Sequence, residues 1–123
     1  MNSSWYEYSN CASYVYHHFG LIDQDIYTSG IGIARTWGEL LTHFAEVPGV
    51  MNAHILAIVF VGADVVKEES ELLHLAVINR DKKLVSHRPG DMADVELGVP
   101  IETVLRQYLV DSRRMKKFLE FQK

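Results

Sequence analysis

The sequence predicts an α+β domain, with N-terminal helices packed on a small antiparallel sheet and a late helix. Helical stripes open the chain, short β-rich runs occupy its middle, and an amphipathic segment follows them. The 123 residues suit one domain covering 1–123. Apolar residues make up 48% and charged residues 23%, an ordinary globular balance that excludes wholesale disorder.

The first predicted helix runs from Cys11 to about Phe19. Ser9 or Asn10 caps it, Gly20 ends it, and Ala12, Val15 and Phe19 share one face. Residues 23–35 form a Gly- and Ser-bearing connector with no clear period. Thr36-Trp37-Gly38-Glu39 reads as a capping box. The helix it opens is expected to carry Trp37, Leu40, Leu41 and Phe44 on one stripe and to close at Pro48-Gly49. His54 to Val61 is short, apolar and β-rich, the pattern of a central strand buried on both faces. Asp64 to Glu71 is charged and loop-like. Leu73 to Ile78 and Leu84 to His87 are two further strands joined by a turn at Arg80-Asp81-Lys82, and Pro89-Gly90-Asp91 breaks the second. Pro100 fits the first position of a helix in which Ile101, Val104, Leu105, Tyr108 and Leu109 recur at helical spacing. Arg113 to Phe121 fits either a helix or one face of a strand.

Charge and cysteine count narrow the function classes. The net charge is −4, which does not mark a nucleic-acid binder. From Arg106 to Lys123 six bases face two acids, while the rest of the chain holds six bases against 14 acids, a balance of −8. One cysteine allows no internal disulfide and no Cys-rich zinc site. No apolar run reaches the ~18 residues of a transmembrane helix. The first residues lack a basic stretch followed by an apolar one, so no Sec-type signal is expected there. Localisation stays open between the cytoplasm and export by another route. Gly30-Ile31-Gly32 lacks the third glycine of a dinucleotide fingerprint.

The residues that suggest chemistry are Cys11, His74 and His87. A cysteine at a helix start faces free backbone N–H groups and the positive end of the dipole. Those groups favour a thiolate and can stabilise an oxyanion beside the sulfur. His74 and His87 stand on neighbouring strands, and the loop length decides their relation. A two-residue loop makes them directly opposed, a four-residue loop makes them diagonal neighbours on one face, and a three-residue loop without a bulge separates them. In two of these registers His87 can orient His74. A Cys-His-His metal set is the competing use of the same residues.

Asn10-Cys11-Ala12-Ser13-Tyr14-Val15, then Leu73-His74-Leu75-Ala76-Val77-Ile78, then Leu84-Val85-Ser86-His87, resembles the NlpC-type branch of papain-like cysteine peptidases and amidases. The resemblance spans Cys11 to His87 and implies a papain-like fold. It implies Cys11 as nucleophile, His74 as general base and His87 as the orienting residue. Tyr6, Tyr8, Asn10 and His54 are the candidates for contacting substrate or an oxyanion. The implied activity is cleavage of an amide bond through a thioester, by default in a peptidoglycan stem peptide or a similar peptide or isopeptide. No cofactor or metal is called for, and the implied partner is an amide-bearing substrate. An acyltransferase or lipid-directed thiol hydrolase on the same scaffold, or a catalytically silent binding domain, are the alternatives. The chain departs from the family at Asn10-Cys11-Ala12-Ser13, where Asp-Cys-Ser-Gly is usual, and at Ala53-His54, where Gly-Asp is common.

Overall fold

A computed structural model describes residues 9–26, 36–62 and 66–122. Helix α1 covers Cys11–His18, close to its expected limits. Helix α2 is only Trp37–Leu40, and strand β1, Phe44–Val47, occupies what was expected to be its second half. The start signal was read correctly, since Thr36 Oγ1 accepts from the Glu39 N–H at 3.2 Å. The end was not. The edge of another strand captures this segment through Phe44↔Phe121 and Val47↔Phe118 pairing, although its burial does not alternate cleanly. Backbone hydrogen bonds supplied from far along the chain thus outweigh a local helical stripe.

The remaining elements are β2 (Ile55–Phe60), β3 (Glu71–Ile78), β4 (Leu84–His87), β5 (Glu96–Pro100), α3 (Ile101–Tyr108) and β6 (Arg114–Phe121). The six strands form one antiparallel sheet in the order β1-β6-β2-β3-β4-β5. Strands β2 to β5 are the expected meander, extended by a strand that the sequence pattern did not reveal. β5 carries no apolar alternation and is mostly exposed, so only its pairing with β4 marks it. Pro100 ends β5 and is the N-cap of α3 rather than its first helical residue. The ambiguous segment is β6, held between β1 and β2 with Leu119 fully buried.

Alternation along β2 and β3 sorts the core onto two faces. Ile55, Ala57, Val59, Leu75 and Val77 pack against Ala12, Val15 and Tyr16 of α1 and against Trp37 and Leu40 of α2. Leu56, Ala76, Ile78 and Val85 pack on the other side with Val104 of α3. β2 is therefore buried on both faces, as its continuous apolar run predicted. Among the described residues no helix is long and apolar enough to cross a membrane.

Candidate active site

Asn10 caps α1 through a reciprocal pair. Its Oδ1 accepts from the Ser13 N–H at 2.8 Å, and Ser13 Oγ accepts from the Asn10 N–H at 2.9 Å. Cys11 is the first helical residue. Ala12, Val15 and Tyr16 anchor the helix on Leu75 and Val77, which brings the start of α1 against β3.

The β3–β4 ladder pairs Val77↔Ser86 and Ile78↔Val85. The Ile78 N–H turns to β2, where it donates to His54, while the Asn79 N–H turns to β4 and donates to Leu84. Alternation sends the Leu75 N–H to the β4 side as well, beyond the last β3–β4 pair. The Cys11 thiol lies near that position, with the N–H groups of Leu75, Ala12 and Cys11 about it. Burial nonetheless pushes the thiol pKa up, the Leu75 N–H opposes it, and the Asp91 charge adds to the rise. The helix start was expected to depress this pKa. Desolvation of the charged form outweighs the N–H groups, so the resting sulfur is a thiol.

Among the three registers, the structure selects the four-residue loop. Asn79 N–H bonds to Leu84 O, residues 80–83 make the turn, and Lys82 adopts φ 66°. Asp81 Oδ1 fastens the loop by accepting from the Lys83 and Leu84 N–H groups. His74 and His87 are therefore diagonal neighbours on one face, His74 Nε2 lying 2.6 Å from His87 Nδ1. Both are buried, at 3% and 0% exposure. The His74 ring stacks on Tyr108 with centroids 4.0 Å apart and planes 6° from parallel. Tyr108 is itself held by its hydroxyl, which donates to Pro89 O at 2.8 Å. Burial, and then the neighbouring His87, push the His74 pKa down to about 3. His74 is thus a neutral base at neutral pH, on the α3 face of β3 with Tyr108, whereas its neighbours Leu75 and Val77 face α1. The short gap between the two rings also leaves no room for a metal ligated by both facing nitrogens, each of which would need ~2 Å. No three metal-ligating side chains converge among the described residues.

Several residues of this region were not picked out from the sequence. Arg88, directly after His87, ties the end of β4 to the start of α1. Its Nη1 donates to Asp25 Oδ1 at 2.8 Å and to Asn10 O at 3.2 Å, and its Nε donates to Ala93 O at 2.8 Å. Ser13 Oγ donates to the same Asp25 oxygen at 2.6 Å. Burial works to raise the Asp25 pKa, but Arg88 and Ser13 together hold it below the usual carboxylate value. Glu96 of β5 lies directly opposite His87 in register, with Oε1 3.3 Å from His87 Nε2. Position after His87 was the one available hint for Arg88. Asp25, Glu96 and Tyr108 had none, because each reaches the site through an unpredicted loop, strand or helix placement.

Asn10 serves as a cap, and its N–H is taken by Ser13, leaving the Cys11 and Ala12 N–H groups as the donors beside the sulfur. His54 lies at the start of β2, where its Nδ1 accepts from the Phe121 N–H at 2.9 Å, away from the histidine pair. Tyr6 and Tyr8 lie outside the described residues. A cleft of about 600 Å³ runs beside α1 from Tyr14 and His18 to Ser86, Asn79, Arg80 and Asp81. Tyr14 is three residues from Cys11 and shares its helical face. No family model matches this chain, and neither a curated protein nor a solved structure matches it.

Proposed function

We propose that this protein is a papain-like cysteine hydrolase of the NlpC type that cleaves an amide bond through a thioester. The observation that carries the reading is a buried imidazole pair on β3 and β4, the first of these being the strand on which α1 packs. Cys11 begins a helix with the Leu75 N–H among the groups near its sulfur, and the residue before Leu75, His74, is a buried neutral imidazole bonded to His87 at 2.6 Å.

In this reading a substrate carbonyl enters beside Cys11. His74 takes the thiol proton as Sγ forms its bond to carbon. The developing oxyanion meets the Cys11 and Ala12 N–H groups. The intermediate collapses, the C–N bond breaks, and the amine leaves with the proton returned by His74. Water then adds to the thioester while His74 accepts its proton, and the acid and free thiol are released. Because thiol and imidazole start neutral, proton transfer accompanies attack instead of preceding it. The cleft lined by Tyr14, His18, Asn79 and Ser86 beside α1 is the candidate groove for a peptide or isopeptide, and peptidoglycan stem peptides are the first substrates to try.

The test uses the full chain with stem-peptide fragments and other short amides. Amide cleavage, together with a substrate-mass adduct on Cys11 that is lost in Cys11→Ala, supports the reading. Product analysis with added amine or alcohol acceptors separates hydrolysis from acyl transfer. Absence of both turnover and selective Cys11 alkylation overturns it.

A further inference from the structure

His87 is fully buried, so both its ring nitrogens must find partners within the protein. Nδ1 faces His74 Nε2 at 2.6 Å, and Nε2 faces Glu96 Oε1 at 3.3 Å. The backbone fixes the second contact, because His87 and Glu96 are register partners across β4 and β5. Tyr108 covers the face of the His74 ring and offers nothing in its plane.

The protons in this chain have one consistent order. A glutamate carboxylate at neutral pH only accepts, so His87 Nε2 must carry the proton. A neutral imidazole has one N–H, which leaves His87 Nδ1 as a lone pair. The hydrogen between the rings therefore belongs to His74 Nε2, and the lone pair of His74 is left on Nδ1. We infer that Glu96 is a positioning residue that acts through His87 to set the tautomer of both histidines and to leave His74 Nδ1 as the basic nitrogen. The use of that nitrogen toward Cys11 rests on the hydrolase reading. The tautomer order does not.

The experiment records two-bond proton–nitrogen correlation spectra of the ¹⁵N-histidine-labelled full chain at pH 8, with His74 and His87 assigned from single His→Gln variants. The expected wild-type result is an Nε2–H tautomer at both positions. Glu96→Gln keeps an acceptor oxygen and should keep this order. Glu96→Lys offers only donors, so both rings should switch to Nδ1–H. Cys11 alkylation at pH 8 should then slow by roughly 10²-fold, the scale of a lost general base. Glu96→Gln should alkylate near the wild-type rate, the rescue that a purely structural role would not produce. Circular dichroism confirms that each variant is folded, and if Glu96→Lys fails to fold, Glu96→Ala must give mixed tautomers in its place. Wild-type Nδ1–H at His87, or unchanged tautomers in both Glu96→Lys and Glu96→Ala, overturns the assignment. Tautomers that switch as stated while Cys11 stays inert in every form uphold the role of Glu96 and remove the hydrolase reading.

Discussion

The depressed pKa of His74 makes the fold acid-sensitive, and the effect can be sized. In the unfolded chain an imidazole takes up its proton near pH 6.5, whereas buried His74 resists to about 3. Between these values the unfolded state binds the extra proton, so stability falls as pH falls. The contribution is fully present above pH 6.5. Each pH unit below that removes about 1.4 kcal/mol, so at pH 4.5 the loss is about 2.7 kcal/mol. At 3% exposure, solvent does little to screen this term. His18 is shifted in the same direction by burial, and Asp25 weakens the fold only as pH falls below 3.8. Comparing the wild type with His74→Gln between pH 7 and 4.5 therefore isolates His74. The glutamine amide can still donate to His87 Nδ1 but cannot titrate. Urea unfolding at each pH should show the wild type losing about 2–3 kcal/mol more than His74→Gln over this range. Parallel loss in the two proteins would refute the buried-base picture of the site.

Four further outcomes are expected. Cys11→Ser should abolish turnover of any amide substrate with an unchanged far-UV spectrum and melting curve, because a hydroxyl is a far weaker nucleophile in the same place. His87→Ala should slow the reaction less than His74→Ala, since it removes orientation and not the proton acceptor, and His87→Asn should recover part of the loss through its amide oxygen; steady-state rates decide both. Arg88→Met should destabilise the chain by about 3 kcal/mol in urea by leaving the Asp25 carboxylate without its cationic partner, and adding Asp25→Asn should restore part of it. Gly38→Ala should cost about 1–3 kcal/mol in the same assay, because its Cβ would come within 2.8 Å of the Glu68 carbonyl oxygen.

Much of the site was legible because its members are carried by elements with strong local signals. The Asn10 cap and the stripe of α1 placed Cys11 at a helix start. The runs on either side of Arg80-Asp81 placed His74 and His87 on adjacent strands, and a period of two limited their relation to a few registers. The choice among those registers was not legible, because it depends on residues 80–83 closing as a four-residue turn with Lys82 at positive φ. A lysine there sends no turn signal of the kind that glycine or asparagine sends. The thiol's pKa was read in the wrong direction because a helix start is visible in a sequence and the depth of burial is not.

By itself the sequence determined the elements whose hydrophobic period and caps agree: α1, the double-faced β2, strands β3 and β4, and α3. Tertiary structure decided where two local readings competed or where none was strong. Phe44–Val47 became a strand because the β6 edge supplied backbone partners, and Arg114–Phe121 became one because β1 and β2 flank it on either side. β5 exists through its pairing with β4, and that pairing alone sets Glu96 against His87. The Asp25–Arg88 pair closes across 63 residues of sequence. Periodicity and capping act within a turn or two of the chain. Hydrogen-bond partners and desolvation come from whatever the folded chain brings alongside, and no local pattern encodes them.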